Sequence, residues 1–291
     1  MLPVTLALAF CAPRVGATVP DIVFTLHASN GAGAGSFYVP SNKGDWDPNS
    51  ETFTWALPAP IDIYDDLTRE WIATLLNAEV VLCTRQLCKI DIDIGVVSGR
   101  SETTFTVASA LVSFPTIPAD FAEARAMAAF TVTDVDGDNA CLTGLGPPGT
   151  GAFRSYYNGY LSEGTRFTHL IGRIFVSNGG TASASQNDPM FGFRPIGEDV
   201  EDLSSEIAFT LTPNDYAAAL TTMSMPEPDT CVGDINDDGV IDAADVSELL
   251  AAYGAEMGDS NYNAAADLDD NGRVDLVDVS QLLAVYGQTC P

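Results

Sequence analysis

Residues 234–254 and 267–287 repeat one another at an offset of 33 residues, with twelve identities in 21 aligned positions. A repeat of this kind means two copies of one supersecondary unit. Each copy opens on oxygen-bearing side chains at fixed intervals. In the first they are Asp234, Asn236, Asp238, Asp242 and Asp245, and in the second Asp267, Asp269, Asn271, Asp275 and Asp278. Counted from the first acid these are positions 1, 3, 5, 9 and 12, with Gly239 and Gly272 at position 6 and Val240 and Arg273 at position 7. That spacing wraps a hard cation in about six to eight oxygens, position 7 giving its backbone carbonyl and the glycine allowing the sharp turn. Two bound Ca2+ ions are therefore expected. The plainer alternative, a pair of Asp/Asn-rich turns, would rarely supply all five side chains and the glycine twice.

After each loop the apolar residues fall at helical spacing: Val246, Leu249, Leu250 and Tyr253, then Val279, Leu282, Leu283 and Tyr286. Each run stops at a glycine, Gly254 or Gly287, suited to a helix end. No helix-like run precedes the first loop, where Met225-Pro-Glu-Pro-Asp229 reads as linker. A loop with only its following helix is half of an EF-hand. Two such halves in tandem, each closed by Asp rather than Glu, resemble the dockerin type I module over 231–291. The resemblance implies a small all-α domain that needs calcium to fold, and a cohesin-like domain of a scaffold or cell-surface protein as its partner. The physics agrees, because a segment this short buries little surface and metal binding must supply much of its folding free energy. In cellulosomal dockerins, loop positions 10 and 11 are often a Ser/Thr pair that reads the cohesin. Here they are Ala243-Ala244 and Leu276-Val277. These apolar pairs either meet the partner or pack within the domain.

The chain opens on an apolar run, Leu2 to Ala12, followed by Val15-Gly16-Ala17, a small-x-small cleavage pattern. A signal peptide over 1–17 is expected, and Phe10 directly before Cys11 argues against a lipoprotein signal. No later run reaches the length needed to span a bilayer. The mature protein is expected to be secreted and soluble. Forty acidic residues face twelve basic ones. Without a basic footprint a phosphate backbone is excluded as partner, and an anionic membrane surface is disfavoured. The imbalance runs through the chain, with 27 acidic and 11 basic residues over 1–230 and 13 and 1 over 231–291.

Cys231 and Cys290 bracket the duplicated segment, and a bridge between them would remove roughly 4 kcal/mol of unfolded-state chain entropy. Cys83 and Cys88 are near enough for a local bridge. Cys141 is then left over, or competes for Cys88. His27 and His169 are isolated in sequence, and no cysteine has metal-site spacing with a histidine, so a zinc centre is not expected.

Between leader and linker the chain is mainly β. Apolar and polar residues alternate in Ile22–Leu26, Thr52–Ala56, Ile90–Ile94, Thr103–Val107, Phe130–Thr133, Arg173–Val176 and Ile207–Thr212. Gly, Pro, Asn and Asp clusters separate them, as at 29–35, 144–149 and 177–180. A β-sandwich over 18–222, jelly-roll or immunoglobulin-like, is expected, with a Pro-rich linker over 223–230. One segment reads two ways. Leu67, Trp71 and Leu75 share a helical face, while the same residues also suit a hairpin running into Glu79–Leu82. The order Thr104–Val107, Phe130–Asp138, Phe209–Asp215 is similar to secreted bacterial β-sandwich proteins, notably of planctomycete type, that carry sorting tails or dockerins.

Candidate sites in this part have plain counterparts. Asp134, Asp136 and Asp138 could bind a third calcium, but Gly137 stands at position 4 of that run and a β-turn is the simpler reading. Paired carboxylates for glycoside hydrolysis could come from Asp62, Asp65, Asp66, Glu70, Asp91, Asp93, Glu198, Asp199, Glu201 or Asp202, but in so acidic a chain availability is no evidence. Asp91 and Asp93 read most simply as the wet face of a strand. Tyr156, Tyr157 and Tyr160, with Trp46 and Trp55, could stack on sugar rings, and aromatics are also ordinary strand residues. Nucleophile-elbow, phosphate-loop and zinc-protease patterns are absent, and Gly31, Gly33 and Gly35 lack dinucleotide-loop spacing.

The sequence thus points to a secreted calcium-binding protein tethered through 231–291, with a non-catalytic β-sandwich as cargo. The alternative is a polysaccharide-binding or glycoside hydrolase-like component of a cellulosome-like complex, because dockerins elsewhere are mostly attached to carbohydrate-active proteins.

Overall fold

The computed structural model describes residues 20–84, 87–145, 151–226, 231–236, 238–269 and 271–290. The chain divides into two compact units between Glu227 and Pro228. The expected leader and residues 227–230 lie outside the described residues.

The first unit is built of β-strands in chain order. They are β1 (Ile22–Asn30), β2 (Gly33–Pro40), β3 (Asp45–Asp47), β4 (Thr52–Ala56), β5 (Ile61–Tyr64) and β6 (Trp71–Cys83). Next come β7 (Leu87–Ser98), β8 (Thr103–Ser109), β9 (Val112–Ile117), β10 (Glu123–Thr133), β11 (Ala140–Gly144) and β12 (Phe153–Tyr157). The last are β13 (Thr165–Leu170), β14 (Arg173–Val176), β15 (Thr181–Asp188), β16 (Arg194–Pro195), β17 (Val200–Leu211) and β18 (Tyr216–Pro226). One sheet runs β13-β12-β17-β8-β1-β2, with β9 and β11 also on β17 and β14 on β11. The other runs β15-β10-β18-β7-β6-β4-β3, with β5 on β6 and β16 on β10. The pairings are antiparallel. Strand β18 reaches four residues into the stretch read as linker from 223.

Period-two alternation places the core. On β7, Ile90, Ile92 and Ile94 are buried while Asp91 and Asp93 face outward, where Lys89 pairs with Asp91 at 2.8 Å and the Asn77 amide donates to Asp93 at 3.2 Å. The inner faces of the two sheets share one core. Phe130 of β10 meets Phe209 of β17 edge to face with centroids 6.1 Å apart, and Phe24 of β1 lies 5.9 Å from Trp55 of β4. Such aromatic pairs add to the area they bury.

The two-way segment is a hairpin. Residues 71–83 form β6, paired with β5 and β7, and Leu67 of the supposed helical face is 93% exposed. The alternation of β6 is interrupted twice, by a register shift across Trp71–Ala73 against β5 and another between Leu75 and Asn77 against β7, each of which inserts one residue. Residues 65–70 are the turn. The Asp65 carboxylate accepts from the amides of Leu67 and Thr68, the Thr68 hydroxyl, and the amide of Ala34 across the loop.

The Asp134 run is also a turn, with Gly137 at φ +86°. Buried Asp134 accepts from the amides of Gly137, Asn139 and Gly179, and buried Asp215 accepts from the Val135 amide and the Thr212 hydroxyl. These bonds tie two loops to the end of β17. The oxygens of Asp134, Asp136 and Asp138 come within 4.8 Å of one another.

The buried sulfurs of Cys83 and Cys88 lie 3.7 Å from the Ser50 carbonyl and 3.5 Å from the Thr84 carbonyl. Cys141 is half-buried and its sulfur accepts from Arg173 Nε at 3.1 Å.

The second unit holds two helices, α1 (Ala243–Ala252) and α2 (Leu276–Val285), and a short 3-10 turn at Ala264–Ala266. Each helix starts in a capping box, Asp242 with Asp245 and Asp275 with Asp278. Each ends before a glycine at φ +84°, Gly254 or Gly287. Ile235, Ile241, Leu249, Ala252, Ala266, Val274 and Leu282 make a core of its own. Cys231 and Cys290 are disulfide-bonded. Among the described residues no helix is long and apolar enough to cross a membrane.

Candidate metal centres and docking face

The two loops are built alike, bond for bond. Asp234 accepts from the amides of Asp238 (3.1 Å) and Gly239 (2.8 Å), and Asp267 from those of Asn271 (3.1 Å) and Gly272 (2.8 Å). At position 12, one oxygen of Asp245 accepts from Ile235 and Asn236 while the other accepts from Asp242. Asp278 does the same with Leu268, Asp269 and Asp275. Gly239 and Gly272 take φ values of +86° and +84°, the left-handed region where a side chain is strained. Within each repeat the position-1 and position-12 acids are thus held by backbone amides of their own loop.

The electrostatics favour a cation. Asp245 and Asp278 are fully buried and Asp234 and Asp267 nearly so, while 231–291 carries a single basic side chain, Arg273, engaged with Glu256 at 3.1 Å. Burial would raise the Asp245 carboxyl, but the backbone amides of Asp242, Asn236 and Ile235 outweigh it and hold the group below its ordinary value. Burial acts the same way on Asp267, and the Tyr262 hydroxyl (2.7 Å) with the Gly272 and Asn271 amides again prevails. The oxygens of Asp267, Asp269 and Asp278 lie within 4.8 Å of one another. Hard oxygen donors at this spacing, the position-1 and position-12 acids among them buried, fit calcium, and no thiolate or imidazole belongs to the set.

One feature was not legible in the repeat. The strand leaving each loop pairs with the tail that follows the other repeat's helix. Val274 and Gly272 of the second loop bond with Gly254, Ala255 and Met257, which follow α1. Ile241 and Gly239 of the first loop bond with Gly287, Gln288 and Cys290, which follow α2, and Val240 bridges Thr289.

Residues 232–284 match the family model of the dockerin type I domain. The second unit is a dockerin type I domain. Domains of this family bind calcium and dock on cohesin domains. No curated protein matches the chain. Among solved structures, a carbohydrate-binding module, TmCBM61 in complex with β-1,4-galactotriose, aligns at 8% identity and TM-score 0.24 over 49% of this chain and 83% of its own. A family 11 carbohydrate-binding module from Clostridium thermocellum aligns at 8% identity and TM-score 0.20 over 60% and 88%. Infectious bursal disease virus, Gx strain, aligns at 8% and 0.28 over 71% and 57%. Likenesses this weak carry no argument about the β-unit's ligand.

The dockerin presents an apolar groove between its helices, lined by Val246, Leu249, Leu250, Val279, Leu282 and Leu283. Leu250, Leu283, Tyr253 and Tyr286 stay exposed beside it, one of each type per repeat. Positions 10 and 11 are exposed as well: Leu276 is 66% and Val277 48% accessible, and Ala243 and Ala244 also face solvent. Of the two sequence readings for these pairs, packing within the domain is overturned. The helix starts hold the alternate faces of each turn outward, so the apolar pairs are surface.

In the β-unit the sugar-stacking aromatics do not assemble. Trp55 is buried against Phe24 and Phe37, Tyr156 and Tyr157 of β12 are buried in the other sheet, and Trp46 sits on edge strand β3 beside β4. Asp62, Asp65, Asp91, Asp93, Glu198, Asp199 and Asp202 of the candidate acids have structural partners. Glu198 accepts from the Tyr157 hydroxyl (2.7 Å), a contact that, after burial itself, raises that phenol to about 12. Asp199 accepts from the Ala119 amide and Asp202 from the Gly159 amide. The Asp202 carboxylate thereby pins the loop that joins β12 to β13, and that of Asp199 the loop that joins β9 to β10. Asp62 accepts from the Thr74 hydroxyl at 2.6 Å.

Proposed function

We propose that this protein is an exported tether. Its dockerin takes up two Ca2+ ions, one held by Asp234, Asn236, Asp238, Val240, Asp242 and Asp245 and the other by Asp267, Asp269, Asn271, Arg273, Asp275 and Asp278. Val240 and Arg273 contribute only their carbonyls. The loaded domain clips a non-catalytic β-sandwich to a cohesin-like domain on a scaffold or cell surface. The observation that carries this reading is the pair of loops whose buried position-1 and position-12 carboxylates face almost no basic side chain. Calcium neutralises them, orders both loops, and sets α1 and α2 side by side as the docking face. The apolar pairs at positions 10 and 11 favour a partner surface that is apolar where cellulosomal cohesins meet hydroxyls, with a basic rim to match the 13 acidic residues.

The test is capture of the full chain by immobilised cohesin-type domains, with calcium and with chelator. Calcium-dependent capture is expected to fall at least about tenfold for Leu250→Asp with Leu283→Asp. Equal capture in chelator, or none by any cohesin-type domain, would overturn the tethering role.

A further inference from the structure

We infer that the Cys231–Cys290 disulfide is a selective lock on the first calcium loop, so that its redox state sets the affinity of one site and not the other. The inference rests on the calcium reading above and concerns how that site is regulated. The disulfide touches the first loop from two sides. Cys231 stands three residues before Asp234, whose amide donates to the Cys231 carbonyl at 2.9 Å. The Cys290 amide donates to the Gly239 carbonyl at 2.8 Å, next to the position-6 turn. Between these points the Ile241 amide donates to Gln288 (2.9 Å) and the Gly287 amide to Ile241 (2.8 Å). A carboxylate oxygen of Asp234 and the two sulfurs lie within 4.8 Å of one another.

The second loop has the same pairing without the cross-link. Its partner, residues 254–257, is joined by the chain to α1 on one side and to the 3-10 turn on the other. The first loop's partner, residues 287–290, is joined to α2 on one side, and the disulfide holds its other end. Cutting the disulfide removes an attachment of residues 287–290 beside the first loop and touches neither attachment of residues 254–257 beside the second. Reduction takes two electrons and two protons. A dithiol attacks the disulfide, closes into a cyclic disulfide, and leaves Cys231 and Cys290 as thiols.

The test uses the full chain, isotopically labelled, titrated with Ca2+ before and after treatment with dithiothreitol. Gly239 and Gly272 are the reporters, because each donates its amide to the position-1 carboxylate of its own loop. Reduction is expected to move the Gly239 midpoint to about tenfold higher calcium and the Gly272 midpoint by less than about threefold. Cys231→Ser with Cys290→Ser should reproduce this without reductant. Midpoints that move together, or do not move, overturn the lock. A loss of cooperative folding in the reduced chain appears as both glycines moving together and overturns it too. If neither glycine responds to calcium in the oxidised chain, the calcium reading itself fails, a result distinct from both.

Discussion

At the scale of single residues, the β-unit depends on carboxylates that no local pattern reveals. Asp65 is one of the acids the sequence offers for catalysis, and its oxygens are instead spent on four donors, one of them the Ala34 amide on another strand. Those bonds, the Thr68 amide first, hold its carboxyl down to about 2. The unfolded value is about 3.9, so the bonds contribute stability that is complete above that pH and is lost as pH falls through about 2. In Asp65→Asn, the gap in urea stability from the unaltered chain should be constant near neutrality and shrink between pH 4 and 2. A gap independent of pH would contradict this. Gly33 explains why the partnership is possible: a Cβ there would meet the Asp65 carboxylate. Single acids in an acidic chain look interchangeable in sequence: the Leu67 and Thr68 donors to Asp65 are local, but the Ala34 amide that completes the set lies 31 residues away. Asp234 and Asp267 were legible because their partners lie four and five residues on.

Elements were legible wherever one period governed them. Strand β7 and both helices follow their expected patterns, since alternation and capping are set within a few residues. Residues 65–82 defeated the period because a bulge adds one residue to the ladder and local periodicity cannot see the partner strand. The tyrosines of β12 defeated it as well, because Tyr156 and Tyr157 are buried and their hydroxyls donate to Glu206 of β17 and to Glu198 before it. Within α2, burial predicts sharply different costs for neighbours. Leu282 is in the core and Leu283 is exposed, so Leu282→Ala should cost about 2–5 kcal/mol and Leu283→Ala no more than about 0.5 kcal/mol. Chemical denaturation in saturating calcium, followed by far-ultraviolet circular dichroism, separates the two. Equal costs would mean that the groove, not the core, holds the helices together.

At the scale of the whole molecule the two units have different sources of stability. The β-unit buries a continuous core between two nine-stranded sheets, whereas the dockerin has a handful of buried apolar residues and four buried acids, two per loop. Asp234→Ala with Asp267→Ala should therefore leave 231–290 unfolded even in millimolar calcium while the β-unit keeps its own thermal transition. Calorimetry of the full chain would show one transition lost and one retained, and retention of both would refute a metal-dependent fold. The reciprocal pairing of loop and tail carries a further consequence. A single repeat has nothing to complete its loop, because the complementary strand belongs to its twin. The pairing is that of a strand-exchanged dimer whose halves are covalently joined, so that each repeat serves as the other's missing strand.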